Sequence, residues 1–300
     1  MDFSGKIAVV TGGGAGMGRE LTRQLAEAGC SIAICDISEE DMAETASLAE
    51  QQAPQGVKVT AFRADVSDET SVNAFRDHVQ EAHEIDHVHL LFNNAGIGGG
   101  GSFVAGPREN WERTFNVCWR GVYLNARAFM PMLVAADEAA IVNVSSVNGF
   151  WASLGPETPH TAYSAAKFAV KGFTEALITD LAVNAPHVRA HVVCPGHVGT
   201  SIALNTMREF GANASNLPGA DALAEAEALA RGESFRDDAT TTAPDAAKII
   251  LDGVQSGQWR ILVGPDALAI DAAVRGAPET AYQPGFGESI FGFIQRGDQR

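Results

Sequence analysis

The chain has 300 residues, 46% of them apolar, which is enough for the sizeable core of one large α/β domain. Its 31 glycines and 12 prolines are near average usage and exclude a collagen-like or Pro/Gly-driven disordered chain. With 21 Lys+Arg against 37 Asp+Glu, a net charge of −16 repels phosphate backbones and argues against nucleic acid or an anionic membrane as partner.

The first residues carry one lysine and an apolar run too short for a signal peptide, and no stretch approaches the length of a membrane span. Cys30, Cys35, Cys118 and Cys194 lack CxxC spacing and sit in apolar runs, as reduced thiols do. A soluble, cytoplasmic protein is expected.

The first predicted strand, Lys6–Thr11, runs into Thr11-Gly12-Gly13-Gly14-Ala15-Gly16-Met17-Gly18 and a helix over Gly16–Ala28. Glycines there permit a tight turn and let the backbone approach a pyrophosphate, whose charge suits the helix N-terminus. Gly12, Gly14, Gly16, Met17 and Gly18 are the candidate contacts. The second strand, Ser31–Asp36, ends on a carboxylate. At that point it can accept hydrogen bonds from both adenosine ribose hydroxyls and repels a 2′-phosphate, which implies NAD; alternatively it caps the helix predicted at Glu39–Gln52. After the third strand, Lys58–Arg63, Asp65 and Val66 could reach an adenine edge, or cap the helix Asp68–His83. The fourth strand, His87–Asn93, leads into Asn93-Asn94-Ala95-Gly96, small and polar where a cofactor would pass; Asn93, Ala95 and Gly96 are the candidates. His87 and His89 alternate at its start, but no carboxylate or cysteine completes a ligand set, so no metal is expected.

A long helical pattern, Arg108–Val134, precedes the fifth strand, Ala140–Ser145, which ends on the hydroxyl pair Ser145-Ser146. The helix Ala162–Asn184 opens with Tyr163-Ser164-Ala165-Ala166-Lys167. Positions i and i+4 share a helix face, so phenol and ammonium point into one cleft. A neighbouring cation favours phenolate and draws the tyrosine pKa down from about 10. The sixth strand, Arg189–Cys194, runs into Pro195-Gly196-His197-Val198-Gly199-Thr200. Residues 201–243 hold no predicted strand and one exposed helix, Ala220–Arg231, and read as a substrate lid. Helix Ala243–Ser256 and strand Arg260–Val263 follow, and residues 276–300 form a C-terminal extension. Near-continuous apolar strands separated by helices predict one doubly wound α/β domain over residues 1–300, with a seven-stranded parallel sheet.

The motifs Thr11–Gly18, Asp65-Val66, Asn93–Gly96, Asn116, Ser146, Tyr163/Lys167 and Pro195–Thr200, in this order over about residues 5–265, resemble the short-chain dehydrogenase/reductase family of the ordinary, non-extended type. The resemblance implies a Rossmann fold and metal-independent hydride transfer between NAD(H) and a secondary alcohol or ketone. Tyr163 would be the general acid/base, with Lys167 lowering its pKa and holding the nicotinamide ribose. Ser146 would hydrogen-bond the substrate oxygen and Asn116 would keep a relay water. Pro195, Gly196, Val198 and Thr200 would frame the nicotinamide. The resemblance also implies helices paired across subunits, in a homotetramer or homodimer.

Ser146 and Tyr163 are 17 residues apart, a few more than is common in the family, and the excess lies in the loop Asn148–Thr161. Substrate choice is therefore less determined than chemistry. The apolar Phe103, Phe150, Trp151, Leu154, Ile202 and Leu204 point to a bulky hydrophobic substrate, with His160 and His197 flanking the cleft. Two rivals stand beside this reading. An NADPH-dependent ketoreductase of the acyl-thioester type is disfavoured by Asp36 and by the lack of a basic residue at Ala15. A non-catalytic nucleotide sensor is disfavoured by the presence of both Tyr163 and Lys167.

Overall fold

A computed structural model describes residues 1–154, 158–210 and 222–287. Strands β1 (Ile7–Thr11), β2 (Ser31–Asp36), β3 (Val59–Arg63), β4 (Leu90–Asn93), β5 (Ala139–Val144), β6 (Val188–Pro195) and, further on, β9 (Arg260–Val263) form one sheet. Its order is β3-β2-β1-β4-β5-β6-β9, and every neighbouring pair is parallel. This is the predicted doubly wound Rossmann architecture.

Side-chain alternation sends each strand's apolar residues to both faces, and each face meets its own helices. Val9, Leu91 and Ile141 pack with Phe75 of α3 (Glu69–His83), Phe129 of α5 (Gly121–Ala135) and Leu177 of α6 (Thr161–Asn184). Val10, Phe92 and Val142 pack with Leu21 of α1 (Gly16–Glu27), Met42 of α2 (Glu39–Gln52) and Ile250 of α9 (Ala243–Gln255). Full burial of each such side chain stabilises by roughly 1.5–3 kcal/mol. With both faces covered, the strands' carboxyl ends remain available for a site. The connection from β1 goes to one side and that from β4 to the other, which opens a crevice between them.

Several expectations need correction. The helix predicted over Arg108–Val134 is α4 (Arg108–Phe115), a π-helical turn Asn116–Arg120, and then α5. The Gly121 amide reaches back to the Asn116 carbonyl, the longer reach that defines such a turn. The lid was predicted to lack strands, yet Thr241–Thr242 (β8) pairs in parallel with Val198–Gly199 (β7). Two-residue strands leave no periodic pattern to detect. Residues 201–243 also contain α7 (Ile202–Phe210) and α8 (Ala222–Asp237). A further helix, α10 (Pro265–Gly276), follows β9, where the sequence pattern suggested none. Its first turn carries Pro265 and Asp266 behind Gly264, an N-terminal signal that the Ala-rich body obscured. Within the predicted lid, substrate loop and C-terminal extension, residues 211–221, 155–157 and 288–300 lie outside the described residues.

Candidate active site

The glycine turn works through backbone space. Gly12 has φ +67°, and a Cβ there would sit 2.8 Å from Ala95 Cα. A side chain on Gly18 would collide with the Gly12 carbonyl oxygen. The compact turn delivers the N-terminus of α1 to a cavity of about 340 Å³. Ala15 supplies no side-chain cap to that helix, and its first turn holds no acidic residue. The uncapped first-turn amides of α1 fit the pyrophosphate of a dinucleotide, a group that such a terminus attracts. Gly12, Gly16, Met17, Asp36, Asp65, Val66, Ala95, Gly96 and Thr200, all singled out from sequence, line the cavity. Gly14 and Gly18 shape the turn behind it.

At one end of the cavity Asp36 Oδ2 accepts from Gly14 N at 3.1 Å, and Oδ1 accepts from Ile37 N at 2.7 Å and Ser38 N at 3.2 Å. Burial raises the Asp36 carboxyl above its ordinary range, the three amides pull it back, and the Asp41 carboxylate adds to the rise. Oδ2 keeps a lone pair for a ribose hydroxyl. Arg63, the nearest cation on β3, donates to the Ile37 carbonyl at 3.3 Å and does not line the cavity. Asp65 is bound on both oxygens: Oδ1 takes Ser67 N and Oγ, and Oδ2 takes Arg113 Nη1 at 2.7 Å. Burial would raise its carboxyl, but those bonds hold it below the usual range. Arg113, not foreseen from sequence, also lines the cavity and reaches Glu209 of α7 at 2.6 Å.

Asn93 does not reach the cavity. It is buried in the sheet, with Nδ2 on Asn143 Oδ1 at 2.8 Å. Its neighbour Asn94 lines the cavity instead and donates to the Thr11 and Gly12 carbonyls at 3.0 and 3.2 Å. Adjacent positions at a strand end face opposite ways, so Asn94 rather than the expected Asn93 lines the cavity.

Beyond Gly96, the ends of β5 and α6 bring Ser146, Tyr163 and Lys167 together. The Ser146 hydroxyl sits near enough to the Tyr163 phenol to favour its ionised form. Lys167, buried at 3% exposure, donates from Nζ to the Val144 carbonyl at 2.9 Å, and its Nζ lies 5.3 Å from the Tyr163 ring centroid. Burial pushes the phenol above its ordinary range, and Cys118 adds to the rise while Ser146 opposes it. Burial also lowers Lys167. Against the expectation for Lys167, desolvation dominates the phenol, and Ser146 is the group that draws it down. Ser145, the alternative hydroxyl, is committed elsewhere: it donates to the Lys167 carbonyl at 2.8 Å.

Asn116 opens the π turn half-buried, with its backbone carbonyl taken by Gly121 N. Two residues later, Cys118 is the side chain that the turn sets beside Tyr163 and Lys167. A π turn interrupting a helix that packs on a candidate catalytic helix is the sequence-invisible feature that selects Cys118.

The remaining candidates divide. Val198 is buried in the core, and a Cβ on Gly196 would strike the Asp266 carboxylate. The His197 amide donates to that same carboxylate, and its ring nitrogen meets the Phe235 carbonyl. Pro195 is buried at the end of β6. His160 packs at a tilt against Tyr163 with ring centroids 4.7 Å apart, and burial lowers its pKa to about 4. Of the predicted apolar wall, Ile202 lines the cavity, Phe103 is exposed, and Trp151 is buried in a separate small core. His87 bonds Asp86 and His89 accepts from Ile7 N, so both have structural partners. Among the described residues no group of three or more His, Cys, Asp or Glu could hold a metal ion. No helix among them is long and apolar enough to cross a membrane.

The sequence profile of the short chain dehydrogenases matches residues 6–209. SadH of Mycobacterium tuberculosis is 36% identical over 274 residues, 91% of this chain and 91% of that protein. Epidermal retinol dehydrogenase 2 of Homo sapiens is 32% identical over 202 residues, 67% of this chain and 63% of that protein. The crystal structure of a short chain dehydrogenase/reductase from Burkholderia phymatum in complex with NAD is similar at TM-score 0.80 and 32% identity, covering 95% of this chain and 98% of that one.

Proposed function

The chain belongs to the short chain dehydrogenases and is an oxidoreductase of that family, and we propose that it moves a hydride between NAD(H) and a bulky, hydrophobic secondary alcohol or ketone. The observation that carries this reading is the convergence of Ser146, Tyr163 and Lys167 beside a groove that begins on a glycine turn and passes Asp36.

Bound NAD supplies the hydride acceptor, and the protein's part is orientation and proton handling. In the oxidation direction Tyr163 Oη, as phenolate, takes the proton of the substrate hydroxyl as the carbon gives up its hydride, so alcohol becomes ketone by loss of one hydride and one proton. Ser146 Oγ hydrogen-bonds the same substrate oxygen and holds it against Tyr163. Lys167 holds the ribose next to Tyr163 and supplies the positive charge that favours phenolate. Asn116 and Cys118 lie on the turn that closes this end of the site. Thr200, at the mouth of the cavity, would meet the nicotinamide carboxamide together with the loop through Pro195, Gly196 and Val198.

Preference for NAD rests on Asp36 and Asp41, two carboxylates on the same cavity wall. The NAD-bound neighbour is in accord. A hydrophobic substrate is supported by Ile202, placed next to Thr200 where the cavity meets α7, and by the name of the retinol dehydrogenase relative. The exposed apolar residues Tyr123, Val134, Phe168, Ile178 and Val183 on α5 and α6 favour a homotetramer or homodimer. Four buried, unpaired cysteines suit a cytoplasmic location.

The test is an absorbance assay for reduced nicotinamide, with NAD and secondary alcohols of graded size. Turnover that improves with apolar bulk supports the reading, and turnover confined to short polar substrates such as sugars contradicts it. Binding of NAD without any turnover would indicate the sensor instead.

A further inference from the structure

The C-terminal segment, residues 277–286, folds back onto the loop that leaves the catalytic serine. Ser146 Oγ accepts from Asn148 N at 3.1 Å. The buried Asn148 side chain donates to the Trp151 and Ser153 carbonyls at 3.0 and 3.1 Å, which closes residues 146–153 into one hydrogen-bonded loop. The loop is then gripped from outside. Trp151, 4% exposed, donates from Nε1 to the Ala281 carbonyl at 2.8 Å. The Ala152 amide donates to the Tyr282 hydroxyl at 3.0 Å. Phe286 lies 5.8 Å from Trp151, ring to ring. On the other flank the Arg260 guanidinium sits 5.3 Å from the Phe150 ring centroid and is fixed by two bonds of 2.9 and 2.5 Å to Asp271 of α10. Val147, Trp151, Ala267, Ile270 and Ala281 form a small core apart from the two that flank the sheet.

We propose that residues 277–286 are a positioning element of the substrate site: through Trp151, Ala152 and Asn148 they hold Ser146 and its loop in place, and so set which alcohol is accepted. The segment lies beyond residue 209, where the family profile ends, and it meets the loop in which the sequence departs from the family's spacing. None of residues 277–286 is among the residues that line the cofactor cavity, so the segment's effect belongs to the substrate side. This inference rests on the oxidoreductase reading above for its kinetic part only.

The full-length chain is tested as Tyr282→Phe and Trp151→Phe. Tyr282 is exposed, and phenylalanine deletes one hydroxyl; in Trp151→Phe an aromatic ring remains while the Nε1 donor is lost. Each variant should lower kcat/KM for the preferred alcohol by about 5-fold, the size of one lost hydrogen bond, and shift the ranking within the alcohol series. KM for NAD should stay within about 2-fold, and the double variant should fall short of the product of the two singles because both act through one loop. Hydrogen exchange should quicken at the amides of residues 147–153 and remain unchanged in α1. Unchanged exchange in that loop, or equal changes in KM for alcohol and NAD, would overturn the proposal. Absence of turnover in the unsubstituted protein would instead count against the oxidoreductase reading, and the exchange measurement would still decide this one.

Discussion

Lys167 Nζ lies 5.3 Å from the centre of the Tyr163 ring and points its hydrogen bond at the Val144 carbonyl, one strand end away. Both groups are desolvated, which raises the phenol and lowers the ammonium. Alcohol oxidation needs Tyr163 as phenolate, and burial raises that phenol above its ordinary range, so kcat/KM for oxidation should keep climbing with pH without levelling off before about pH 10, while ketone reduction, which needs the protonated phenol, stays level over the same interval. A pH profile in both directions checks this. An oxidation rate that is flat or declining above neutrality would be the wrong sign.

Asp36 should set the choice of dinucleotide. Two unit charges 4 Å apart repel by roughly 4 kcal/mol at an effective dielectric of 20, and Arg63 is occupied on the Ile37 carbonyl. NAD should therefore exceed NADP by at least ~10²-fold in kcat/KM, about 2.7 kcal/mol. Asp36→Ala should narrow that ratio, mainly by weakening NAD. Comparable efficiency with both dinucleotides in the unsubstituted protein would refute this role.

Acid should weaken the fold through two histidines. Burial lowers both His83 and His160 from 6.5 to about 4, so each stays neutral in the folded chain at pH values where the unfolded chain takes up a proton. The unfolded state binds more protons between about pH 6.5 and 4, and stability falls as pH falls through that window. The thermal midpoint should drop across it, and His83→Gln should flatten the drop. An identical slope in that variant would remove His83 from the account.

The exposed apolar stripe on α5 and α6 should be an interface between copies. Light scattering at micromolar concentration should give a dimer or tetramer. Charge substitutions at Phe168 and Ile178 should lower the mass toward a monomer. A monomeric mass for the unsubstituted protein would contradict the assembly.

What the sequence revealed follows a physical division. Buried parallel strands announce themselves as continuous apolar runs, so β2 and β9 begin and end where the pattern placed them. The glycine turn and the Tyr163/Lys167 pair depend on spacing along one element, which sequence preserves. Features that depend on how elements meet were hidden. The choice of Asn94 over Asn93 turns on strand-end direction, and Cys118 lies beside Tyr163 and Lys167 on a π turn that no sequence pattern marks. Arg113 gains its role from Asp65 and Glu209, carboxylates distant in sequence. Trp151, read as a wall of the substrate pocket, is instead the anchor of the loop, because Ala281 and Phe286 fold back over it.

Replacing Tyr163 by phenylalanine tests the central claim most directly, because it deletes the proton route while leaving the nucleotide groove intact. Measured against the unsubstituted protein with NAD and its preferred alcohol, Tyr163→Phe should lower kcat by at least ~10³, within the ~10²–10⁴ that general acid–base catalysis contributes. NAD affinity, read by titration, should be nearly unchanged, whereas Lys167→Ala should damage both quantities. A Tyr163→Phe variant that kept most of its activity would contradict the account.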